Sequence, residues 1–167
     1  WVILHHFMGP SVHFLIVCIL FTLLLLLSHR KNLMPMISSD GDNAPGTVYY
    51  GVAMTIMATV TLFVPSMIVP FGIGVFCTSF GDGFAGLLGQ LTTRHNPKIY
   101  GNKTFFGSLY NFLISLLVVV VFNISFSLGF SVWHILALAF FVTELELFTG
   151  HGLDNIVITL GAAFLSY

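Results

Sequence analysis

The chain has 167 residues, 57% of them hydrophobic and only 7% charged, with a mean hydropathy of +1.00. A soluble domain carries about 25% charged residues, so this composition excludes one and makes lipid the natural solvent. A net charge of -1 gives no basis for a nucleic-acid partner.

The chain begins at Trp1 rather than Met, and we expect it to lack its N-terminal part. Residues 2–8 are compatible with the tail of an earlier span. His5, His6 and His13 fit an interfacial position better than a metal site. A helix needs roughly 20 apolar residues to cross the hydrocarbon core. Six stretches qualify, at about 11–28, 47–64, 67–91, 105–127, 130–148 and 153–167. The expected architecture is therefore all-α, a polytopic membrane protein of about six transmembrane helices in a single domain, 1–167. The third span is read as interrupted at Gly81-Asp82-Gly83. Cys18 and Cys77 lie in apolar runs and read as small core residues. Asp40 and Asp42, in SSDGDNAPG, lack the Glu that closes a calcium loop and read as a solvated turn.

The joins between spans divide by charge. Arg30 and Lys31 follow span one, and Arg94, Lys98 and Lys103 follow span three. Glu144, Glu146 and Asp154 flank the join between spans five and six. With six alternating crossings these joins share one side, and the connections near Pro65 and Ser127 carry no charge. All five Lys and Arg residues then lie on one face, which the positive-inside rule makes cytoplasmic.

Charges in or beside spans are expensive, so a functional role is their default reading. Asp82, Glu144, Glu146 and Asp154 are carboxylates of one membrane surface. Arg94, Lys98 and Lys103 are its cations. Carboxylates that hold Mg²⁺ beside cations that hold phosphates are what phosphoryl transfer needs. In FGDGFAGLLGQL, residues 80–91, Asp82, Ala85 or Gly86, and Gly89 recur at helical spacing. They form a bare face that admits either a second helix or a nucleotide. Spacing alone suits helix packing, and the Asp at the head of the face points towards a ligand. GNKT at 101–104 lacks the first glycine of a Walker A loop. Lys103 and Thr104 still precede span four, where a helix N-terminus favours phosphate. His95 and His151 lie in the same loops.

These residues carry a resemblance. Asp82, Ala85 and Gly89, then Lys103-Thr104-Phe-Phe-Gly107, then Glu144 followed by Asp154-Asn155, resemble the CTP-dependent polyprenol and lipid kinase family. That family includes dolichol kinase, phytol kinase and CTP-dependent diacylglycerol kinase. Gly46-Thr47-Val-Tyr-Tyr50 resembles a further motif of the same family. The resemblance implies an integral membrane enzyme that moves the γ-phosphate of CTP to a lipid hydroxyl with Mg²⁺ or another divalent cation. It implies catalytic roles for Asp82, Lys103 and Asp154, with Asp82, Glu144 and Asp154 as metal ligands. Nucleotide contacts fall to Gly81, Ala85, Gly86, Gly89, Lys98, Lys103, Thr104, Gly107 and Asn155. Two other readings stay open at this point. One is a phosphatidate cytidylyltransferase, which also uses CTP. The other is a small transporter built on the broken third span.

Overall fold

A backbone in lipid must satisfy its own hydrogen bonds. Accordingly, the computed structural model is helical almost throughout the residues it describes, 9–31, 46–92, 97–101, 103–150 and 152–167. Helix α1 is Val12–Lys31 and α2 is Gly46–Phe63. Pro65 has no N–H to extend α2 and opens a single 3-10 turn, Pro65–Met67. The chain returns as α3, Ile68–Phe76, passes through a π turn, Cys77–Asp82, and continues as α4, Gly83–Leu91. A small hairpin follows, β1 Lys98–Tyr100 against β2 Lys103–Thr104. Helices α5, Phe105–Ser125, α6, Val132–Phe148, and α7, Asp154–Leu165, complete the bundle.

The all-α membrane class holds, with six helical units among the described residues where six spans were expected. Four of them are long and apolar enough to cross a bilayer: Val12–Lys31, Gly46–Phe63, Pro65–Gly89 and Phe105–Ser125. The other two, α6 and α7, are shorter at 17 and 12 residues.

One expectation is corrected. The third span is not broken at Gly81-Asp82-Gly83. The chain stays helical there, with Gly81 and Asp82 closing a π turn that begins at Cys77. A break would leave N–H and C=O groups bare in the membrane, whereas a wider turn keeps them bonded. The transporter reading loses the feature on which it rested.

The core is centred on α3 and α7. One apolar cluster joins them to α1 and α2 through Phe14, Met57 and Phe71. A second joins them to α5 and α6 through Ile73, Val119, Val142 and Ile158. Large apolar side chains also point outwards, among them Leu20, Leu24, Leu117 and Phe140. Exposed to water they would be a liability, but in lipid they are solvated.

Polar contacts and bare backbone fix the centre. Thr78 and Thr159, both buried, pair through their hydroxyls at 2.8 Å, and the Thr78 hydroxyl also reaches the Gly74 carbonyl at 3.0 Å. Gly74 lies so close to α7 that a Cβ would stand 2.2 Å from the Thr159 carbonyl oxygen. Gly74→Ala must push these helices apart. We expect it to lower stability by about 1–3 kcal/mol, as overpacking does, seen as a lower melting temperature in detergent. Gly83→Ala and Gly86→Ala, where a Cβ meets nothing within 4 Å, should leave melting unchanged or raise it. Equal effects at the three glycines would refute the tight crossing.

Candidate functional site

The charged residues meet at one end of the bundle. Tyr100, on the exposed strand β1, sets its ring 5.7 Å from that of Phe148, edge to face, so the hairpin rests on the C-terminal end of α6. Gly101 turns the hairpin with φ +52, a conformation that suits glycine. The pairing of Tyr100 with Lys103 then brings the lysine against α6 and α7.

Lys103 is the hub. Its ammonium forms an ion pair with Glu146 Oε1 and a longer one, 3.4 Å, with Asp154 Oδ2. About a quarter of the Lys103 side chain is exposed, while its partners are nearly buried. Burial pulls the lysine pKa down, but the charge and hydrogen bond of Glu146, then Asp82 and Asp154, outweigh it. The net result is a pKa raised above the usual 10.5. Asp82 thus belongs to the same electrostatic cluster, at the junction of the π turn and α4.

Three helix N-termini converge on this hub. Thr104 caps α5, its hydroxyl accepting from Gly107 N–H at 3.3 Å. Asp154 lies in the first turn of α7, where its Oδ1 accepts from Asn155 N–H at 3.0 Å. Asn155 in turn donates its side-chain amide to the Gly46 carbonyl at 3.0 Å, tying α7 to the start of α2. Gly152, with φ +81, passes so close that a Cβ would fall 2.5 Å from Gly46 Cα. Helix N-termini carry the positive end of the helix dipole, so this end of the bundle suits an anion with several oxygens.

The bare face around Asp82 is divided. Ala85 is buried, and Gly89 faces the start of α5, where its Cβ would meet Gly107 Cα at 3.3 Å. That half is helix packing. Gly83 and Gly86 face open space. Beside Gly81 the occupants are Ser115 and Asn111 of α5. Tyr50 of α2 reaches the π turn and shares a 2.8 Å hydrogen bond with Ser79.

The cluster therefore joins Asp82, Lys103 and Asp154, while Lys98 stands exposed on β1. Of the two neighbouring glutamates, Glu146 is the one that pairs with Lys103. Two residues along a helix are about 200° around its axis, and it is Glu146, 4% exposed, that faces Lys103. Sequence reasoning named Glu146 among the surface carboxylates but gave the role to Glu144. It passed over Asn111 and Ser115, although polar residues inside an apolar span are themselves a signal. Arg94, His95, Asn102 and His151, together with residues 1–8 and 32–45, lie outside the described residues.

Among the described residues, no three His, Cys, Asp or Glu side chains are grouped closely enough to hold a metal ion. Carboxylates outnumber the one ammonium in the cluster. Hard oxygen donors with excess negative charge are the chemistry Mg²⁺ takes, and one or two carboxylates suffice where substrate phosphates supply the remaining ligands.

The chain is 32% identical over 145 residues to a phytol kinase from Synechocystis sp., a match that covers 84% of this chain. The chain spans 61% of that relative's length. No family model matches the chain, and no solved structure matches it significantly.

Proposed function

We propose that the chain belongs to the phytol kinase family, to a Synechocystis sp. member of which it is 32% identical, and that it forms the membrane core of a lipid kinase, transferring the γ-phosphate of CTP to the hydroxyl of a phytol-like or polyprenol alcohol. The observation that carries this reading is the Lys103–Glu146–Asp154 cluster, with Asp82 beside it, at the meeting of three helix N-termini. Phosphoryl transfer asks little covalent chemistry of a protein and much placement and charge neutralisation. Lys103 holds phosphate oxygens as a point charge. The N–H groups at the starts of α5 and α7 add fixed dipoles without reorganisation. Asp82 and Asp154 are the residues that would hold Mg²⁺, which neutralises charge on the transferring phosphates. The open side at Gly83 and Gly86 leaves room for a group to approach Asp82. The helices carry a lipid-solvated surface, so an acceptor alcohol reaches the bundle from the bilayer. The nucleotide comes from the side that bears the lysines, which the distribution of Lys and Arg makes cytoplasmic.

Membranes carrying the full-length protein, supplied with phytol and CTP labelled on the α- or γ-phosphate, test this reading. γ-Label in the lipid is the expected result. α-Label in phosphatidate-derived lipid would establish the cytidylyltransferase instead. Label in neither would remove both.

A further inference from the structure

A polar stripe runs into the membrane below Lys103. Ser108, Asn111 and Ser115 recur at intervals of three and four residues just past the Thr104 cap, so they share one face of α5. That face meets the π turn at Gly81, where a Cβ would lie 3.2 Å from Ser115 Oγ and 3.5 Å from Asn111 Oδ1. Asn111 has no exposed surface. Its Oδ1 accepts from the Ser115 hydroxyl at 3.2 Å, but its Nδ2 has no partner among the described residues. The Ser108 hydroxyl, a turn closer to Lys103, is buried and unpartnered in the same way, and so is Glu146 Oε2.

Folds rarely leave a buried polar atom without a partner, because its hydration is lost and nothing replaces it. Here three such atoms lie on the two helices that flank one ion pair. Their chemistry narrows what completes them. Asn111 Nδ2 only donates, and an ionised Glu146 Oε2 only accepts. A cation is refused by the amide N–H groups. A phosphate is refused by the carboxylate. A hydroxyl fits both, since its oxygen accepts from Asn111 while its O–H donates to Glu146, with Ser108 able to do either.

We propose that Asn111, Ser108 and Glu146 Oε2 form the subsite that receives the hydroxyl of the acceptor lipid alcohol. This rests on the kinase reading above and extends it. Ser108 and Asn111 lie in the first two turns of α5, on the membrane side of Lys103. An alcohol from the bilayer and phosphates from the loops then meet from opposite directions, as an in-line transfer requires.

Two variants of the full-length protein in proteoliposomes test the proposal, Ser108→Ala and Asn111→Leu. Ser108→Ala deletes an unpartnered atom, so its melting temperature should be unchanged or higher, whereas Asn111→Leu also removes the acceptor of the Ser115 hydroxyl and should lower it slightly. The KM for phytol should rise about tenfold, the usual scale for a lost hydrogen bond in a buried site. The KM for CTP should not move. Ser115→Ala, which removes a bond to Asn111 but leaves Nδ2 in place, should keep the phytol KM within about twofold. If Asn111→Leu does not fold, Ser108→Ala decides alone. An unchanged phytol KM with active wild-type protein would mean that only water occupies these atoms. The subsite then falls while the kinase reading stands. Wild-type protein that transfers no γ-phosphate would overturn both.

Discussion

Lys103→Met is expected to reduce transfer about a thousandfold, the scale of losing one positioned charge at a reacting phosphate. The same change should destabilise the fold, because Glu146 and Asp154 are held by this ammonium and have little solvent to turn to. Removing one partner of a fully buried pair costs about 3–5 kcal/mol. Lys103 is partly exposed, so a loss of about 1–3 kcal/mol is the better expectation. Melting temperature against pH in detergent checks the cause. The pKa of Lys103 is raised in the folded protein, so folding favours its protonated form. Its contribution is fully present below the ordinary lysine pKa, about 10.4, and is lost as pH rises through the folded value. The gap between wild type and variant should therefore be steady from neutral pH to about 10 and close above it. Transfer retained by Lys103→Met would exclude the lysine from phosphate binding. A gap that ignored pH would exclude the ion pair as the source of stability.

Glu146→Gln and Glu144→Gln form the second test, because they separate two carboxylates only two residues apart. Glu146→Gln keeps the shape of the side chain and removes the charge opposite Lys103. We expect transfer to drop about a hundredfold, the lower end of what one charged contact contributes at such a site. Glu144→Gln should stay within about twofold of wild type, as substitutions away from buried networks usually do. Measuring γ-phosphate transfer for both, with protein level and insertion matched, decides it. The reverse order would restore Glu144 to the site and overturn the assignment made from the geometry.

That the sequence does not separate these two glutamates has a physical origin. In a soluble helix the apolar stripe marks the inward face. Helix α6 is surrounded by lipid on one side and by Val119 of α5 and Ile158 of α7 on the other, and both environments are apolar. Hydrophobic periodicity is then silent about which way Glu144 and Glu146 point. The same silence hid the division of the Asp82 face. Ala85, Gly86 and Gly89 have the spacing of one face, yet Gly89 packs on Gly107 and Gly86 looks into open space. Polar residues inside spans escape this limit, since lipid rejects them whatever their neighbours. Asn111 and Ser115 carried that signal, although the sequence reading passed over them.

Composition alone establishes that lipid is the solvent. The lengths of the apolar runs establish the helical units, each found within a few residues of its expected bounds. Both follow from the cost of exposing apolar side chains to water and peptide groups to hydrocarbon, which each segment meets on its own. The site does not follow in this way. Lys103 meets Glu146 from 43 residues away and Asp154 from 51. The hairpin, the Gly46–Gly152 contact and the crossing of α3 with α7 decide those meetings. Such long-range contacts depend on how the helices rotate and cross, and a chain that is apolar on every side does not record that rotation.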